Sequence, residues 1–110
     1  MSTETPGKIS PSEEEKELRA KNPTLAQRGS VYGSYQENVL FRSVVMAQAK
    51  RQYSIHHEGE EMPTRYQVMI SDIVMKLARI AVSPNHVDSW HDIVGYGQLI
   101  ENSVKEMKNE

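Results

Sequence analysis

A chain of 110 residues is one domain, near the lower end of the size at which a single hydrophobic core suffices. Hydrophobic residues make up 37% and charged residues 25%, and the formal net charge of -2 argues against indiscriminate binding of polyanions. There is no cysteine, which excludes disulfides, thiolate zinc sites and cysteine nucleophiles.

No apolar run reaches the roughly 18 residues of a membrane span. The N-terminus Met1-Ser2-Thr3-Glu4 lacks the basic and apolar regions of a signal peptide. A cytosolic protein is expected.

Residues 1–9, with Pro6 and Gly7 and no periodicity, read as a flexible tail. Ser10-Pro11-Ser12-Glu13 offers a cap, a proline at the first helical position and an acid three residues after the cap. A short helix to Lys21 follows, charged on nearly every face, with Leu18 as its main apolar residue, so weak docking is expected. Asn22-Pro23 ends it. Residues 1–22 thus form a tail and short acidic helix, and 23–110 a helical domain.

After a loop holding Gly29 and Gly33, Ser34-Tyr35-Gln36-Glu37 repeats the capping pattern and opens a helix over 35–54. Leu40, Phe41, Val44 and Val45 form its predicted apolar face, with Glu37 in the middle of that face and pointing inward. Residues 55–63 are a polar loop.

The helix predicted over 64–82 is apolar around most of its circumference, so a central place or an oligomer interface is expected. Its only charged stripe is Arg65, Asp72, Lys76 and Arg79, within roughly 60° of arc. Ser83-Pro84-Asn85-His86 is a short connection that turns the helix over 87–108 back antiparallel. Ile93, Tyr96, Ile100, Val104 and Met107 line that last helix. No strand or repeat is evident, and the fold class is all-α, an antiparallel bundle of three main helices that self-associates.

Folding back at 83–86 brings Lys76 and Arg79 towards Asp88 and Asp92. A structural ion-pair cluster, with Asp88 as helix cap, explains this without any ligand. An inward Glu37 would make the cluster more polar than stability requires, and ionisable clusters of that kind occur at functional sites. Gly95 and Gly97 each cost about 1 kcal/mol inside a helix, which asks for close packing or close ligand approach.

His86 and Trp90, with Tyr32 and Tyr96, could wall an aromatic ring, although a tryptophan is more often a packing anchor. Glu37, Asp88 and Asp92 could hold Mg²⁺ through oxygen. The histidines lack zinc-site spacing. Phosphate loops and a nucleophile elbow are absent.

The strings Tyr32-Gly33-Ser34-Tyr35-Gln36-Glu37-Asn38, Lys76-Leu77-Ala78-Arg79-Ile80 and Asp88-Ser89-Trp90-x-Asp92-Ile93-x-Gly95-Tyr96 resemble a small bacteriophage and prophage family of unassigned function. More distantly, the order of elements is similar to nucleotide-modification-associated domains and to the all-α nucleoside triphosphate pyrophosphohydrolases of MazG type. The latter resemblance implies paired acids holding Mg²⁺ that activates water on a phosphoanhydride. This chain departs from it, because no second acid follows Glu37 one turn on and the facing helix carries Lys76 and Arg79.

The resulting expectation is a phage accessory protein of the host cytoplasm that binds a phosphorylated nucleotide. Lys76 and Arg79 hold phosphate, Asp88 and Asp92 hold sugar, base or Mg²⁺, and Tyr32, Trp90 or Tyr96 stack. Hydrolysis through Glu37, Asp88 and Asp92 stays open. The alternative is a non-catalytic anti-defence protein, either a sponge for a nucleotide signal or an inhibitor that binds a host protein. DNA binding rests only on Arg42, Lys50 and Arg51 and is the weakest reading.

Overall fold

The computed structural model describes residues 10–24 and 34–108. They form helices α1 (Glu13–Lys21), α2 (Tyr35–His56), α3 (Thr64–Val82) and α4 (Val87–Lys108), with no strand among the described residues. The all-α reading holds.

The cap of α1 is Ser12 rather than Ser10, its side chain accepting from the Glu15 amide at 3.1 Å. Both serines fit the spacing rule, each with an acid three residues on, and the helix starts directly after Ser12, at Glu13. No residue of α1 is buried and Leu18 is 57% exposed, so the helix does not dock through an apolar face. A carboxylate fastens it instead. Glu15 Oε1 accepts from the Tyr35 backbone amide at 2.8 Å, at the N-terminus of α2, and from Arg19 Nη2 at 2.8 Å. Helix N-termini expose amides without intrahelical partners, and an acid placed there is favoured by the helix dipole.

Ser34 supplies the second fastening of that terminus. Its buried hydroxyl accepts from the Glu37 amide at 3.1 Å and donates to Glu37 Oε1 at 3.3 Å. Helix α2 runs two residues past the expected 54. Its end is closed by Glu58 and Gly59 at φ 57° and 83°, with the Gly59 amide donating to Ser54 O at 2.9 Å. Positive φ is what glycine tolerates without steric cost. Met62, in the connection that follows, is buried, and its carbonyl accepts from Gln67 Nε2 at 2.7 Å.

Helix α3 lies between the other two long helices, packing against α2 on one side and α4 on the other, while α2 and α4 scarcely touch each other. The burial pattern of α3 agrees. At about 100° per residue, Val74 and Ala78 share one side and Lys76 and Ile80 lie nearly opposite, and all four are buried. The three helices therefore form an open layer rather than a closed triangle.

Short connections make each neighbour antiparallel, which fixes the two broad faces by the same geometry. One face carries Asp72 and Arg79 of α3 beside Asp88 and Asp92 of α4. The other carries Tyr66, Ile70 and Leu77 of α3, with Trp90 and Gly97 of α4 and Glu37 and Phe41 of α2.

The seam of α2 is rotated from its expected position. Leu40 and Val44, expected to be apolar core, are 52% and 53% exposed, whereas Arg42, Val45, Met46, Ala49 and Tyr53 are the less exposed set. In a layer α2 has one neighbour, so half of an apolar arc is left uncovered.

Candidate functional site

The antiparallel α3–α4 pair brings Lys76 and Asp92 together as expected. Lys76 Nζ lies 3.0 Å from Asp92 Oδ2, with the lysine only 8% exposed and the Asp92 side chain 46% exposed. The ammonium also stands 5.9 Å from the centre of the Tyr96 ring. That is a cation-π separation. The aliphatic stem of Lys76 fills the seam while its charge reaches the polar face, which is how a long cationic side chain can be buried.

The hydrogen bond and charge of Lys76 hold the Asp92 carboxyl below the usual carboxylate range. Desolvation opposes this more weakly than Lys76 lowers it, and the charges of His91 and Arg79 add still smaller effects in the lowering direction. Lys76, Arg79, Asp92 and Tyr96 thus constitute one polar cluster on one face.

The other expected site residues are placed differently. Asp88 is exposed in the first turn of α4 and is not its cap, because the helix begins at Val87. His86 instead locks the helix start. Its Nδ1 is 3.0 Å from the Oγ of buried Ser89, and its carbonyl accepts from the Ser89 amide at 3.1 Å.

Trp90, half exposed, donates from Nε1 to Pro84 O at 2.8 Å. It is about 160° around α4 from Asp92, so it does not wall the Lys76 cluster. Tyr32 lies outside the described residues.

Glu37 does not join the cluster. Its carboxylate is engaged by Ser34 in the α2 cap, and its position falls on the opposite face of the layer from Asp92. Among the described residues no three histidines or acids are grouped so as to hold a metal ion. The three-carboxylate Mg²⁺ centre of Glu37, Asp88 and Asp92 is therefore not assembled, and no step of hydrolysis is derived from it.

Gly95 and Gly97 are not required by close packing among the described residues, where a Cβ at either would meet nothing within 4 Å. Both look outward.

Apart from one local pairing, the open groove of about 390 Å³ between α2 and α3 had no signal in the sequence. Tyr35, Val39, Arg42, Ser43 and Met46 face Ser71 and Val74 there. Arg42, which lines it, donates from Nε to Asn38 Oδ1 at 2.7 Å. The i,i+4 pairing of Asn38 with Arg42 was the one available hint.

Such a chain is a layer of helices with the Lys76–Asp92 pair towards one face and partly exposed apolar residues of α3, Tyr66 and Leu77, on the other. Residues 18–104 match the family described as Domain of unknown function (DUF6378), and the chain belongs to it. The matched span takes in the end of α1 and all of α2 and α3, and most of α4. No curated protein and no solved structure matches the chain. No described helix is long and apolar enough to cross a membrane.

Proposed function

We propose that the polar face of the α3–α4 pair binds the phosphate of a nucleotide and holds it without turnover. The observation that carries this reading is Lys76, a lysine only 8% exposed whose ammonium lies 3.0 Å from a partly exposed carboxylate. An incoming phosphate oxygen takes the place of Asp92 at Lys76 Nζ, and Arg79 on the same face adds a second, charge-assisted contact.

Asp92, displaced, accepts from a sugar hydroxyl, and Tyr96 lies beside the ring. Gly95, about one turn from Asp92, leaves that approach open. Mg²⁺ would arrive with the phosphates rather than on a ready-made carboxylate cage. A binder of this kind fits a phage sponge that sequesters a nucleotide signal in the host cytoplasm.

Calorimetry against nucleoside mono-, di- and triphosphates and cyclic dinucleotides, with and without Mg²⁺, tests the reading. At least one should bind, Lys76→Met should weaken it more than tenfold, and the ligand should be recovered unchanged after denaturation. No heat with any of them, or full affinity in Lys76→Met, refutes it. Recovery of a cleaved nucleotide would restore the hydrolase.

The half-exposed Trp90 favours a second reading, an inhibitor that grips a host protein. One stoichiometric partner retained by Lys76→Met and by Asp92→Ala would support it.

A further inference from the structure

The groove between α2 and α3 holds a cation that the fold leaves unneutralised. Arg42 is half-buried on its wall and is the only charged residue lining it. Its Nε donates to the neutral amide of Asn38, and among the described residues its two terminal nitrogens meet neither an acid nor any other acceptor. Other half-buried or buried cations are closed: Arg19 lies 2.8 Å from Glu15 and Lys76 lies 3.0 Å from Asp92. In a chain of net charge -2, a partly desolvated guanidinium without a counter-charge is therefore the exception. Taking a charge out of water costs free energy that a partner of opposite sign offsets.

The rest of the wall sets the remaining chemistry. Val39, Met46 and Val74 are apolar. Ser43 and Ser71 give their hydroxyl protons to carbonyls of their own helices, Val39 O at 2.8 Å and Val68 O at 2.6 Å, so each hydroxyl oxygen is left as an acceptor. At about 390 Å³ the groove falls within the roughly 300 to 1,000 Å³ of small-molecule sites. One guanidinium offers a single charge in a planar fork, which matches the two oxygens of a carboxylate. A chain of phosphates carries more charge than that, and no lysine or second arginine lines this wall.

We propose that the α2–α3 groove is a second binding site, for a small organic monocarboxylate with an apolar body. The carboxylate takes the terminal nitrogens of Arg42, the body lies along Val39, Met46 and Val74, and a hydrogen-bond donor on it meets Ser43 or Ser71. Val74 of the groove and Lys76 of the polar cluster are about 160° apart around α3, so the two sites use different seams and this one does not rest on the nucleotide reading.

Titration of the isotope-labelled full chain with benzoate, phenylacetate and hexanoate, followed through backbone amide and arginine Nε–H resonances, tests the proposal. The matching carboxamides serve as uncharged controls. At least one acid should give saturable shifts at Ser43, Met46, Ser71, Val74 and the Arg42 Nε–H, and should bind at least tenfold tighter than its carboxamide. Arg42→Met should weaken that acid tenfold or more, Arg42→Lys should restore part of the loss, and Arg51→Met, at an exposed cation of the same helix, should change nothing.

The acid and its carboxamide are compared on the wild type, so the test holds even if Arg42→Met does not fold. Absence of saturable groove shifts with every acid at millimolar concentration overturns the proposal, as does equal binding of acid and carboxamide. Full affinity in a folded Arg42→Met, or shifts confined to Asp92 and Tyr96, overturns it too. Tighter binding of phenyl phosphate than of any acid overturns the choice of carboxylate. Groove shifts that follow protein concentration alone assign the groove to a second copy and overturn it as well.

Discussion

Replacing Gly95 with alanine tests the placement of α4 most directly. Gly95 is well inside the helix, and a Cβ there would meet nothing within 4 Å, so the substitution adds no clash and removes no contact. What remains is intrinsic helix propensity. Alanine is favoured by about 1 kcal/mol over glycine in a helix interior, chiefly because the unfolded glycine loses more backbone freedom.

Unfolding of the 90 described residues carries an entropy of about 0.19 kcal/mol/K at roughly 2.1 cal/mol/K per residue. The melting temperature of Gly95→Ala should therefore rise by about 5 °C, followed by circular dichroism at fixed protein concentration. Calorimetry on the same variant should show weakened nucleotide binding if the glycine exists to admit a ligand. An unchanged or lowered melting temperature would refute the assignment of Gly95 to open surface, because only an unseen neighbour could cancel the gain.

Two further outcomes follow from the caps and the ion pair. Ser34→Ala removes the hydroxyl that holds the Glu37 amide, and the denaturant midpoint should fall by the equivalent of about 1 kcal/mol, with faster amide exchange at the start of α2. The depressed Asp92 carboxyl binds fewer protons folded than unfolded. The stability it contributes is therefore complete above the ordinary carboxylate value and is lost as the pH falls through the folded one. Urea midpoints from pH 7 to pH 3 should show wild type and Asp92→Asn separated at neutral pH and converging below about pH 4.

The helices were legible in the sequence because their signals are local. Ser34 with Glu37 marks a cap, Asn22-Pro23 marks a stop, and the four residues Ser83 to His86 leave the chain no route but back along α3. The Lys76–Asp92 pair was legible for the same reason, being the product of one short turn.

Glu37 was not. A helical wheel gives the angle between residues of one helix but not which side of it a neighbour occupies, so an acid among apolar residues reads as an inward one. It lies instead in its own cap, on the far face of the layer. Leu40 and Val44 were misplaced by the same gap, since apolar residues do not declare whether their cover comes from the same chain. Glu15 gave no signal at all, because its bond to the Tyr35 amide spans 20 positions and uses an ordinary surface glutamate.

A helix flanked on both sides by partners that scarcely touch each other becomes the main conduit between them. The groove beside Arg42 and the pair at Asp92 are coupled chiefly through the register or tilt of α3. Paired substitutions across the two seams, Met46→Ala with Ile93→Ala for instance, should therefore add without cross-talk unless that rod itself moves. Any departure from additivity would measure how rigid the spine is.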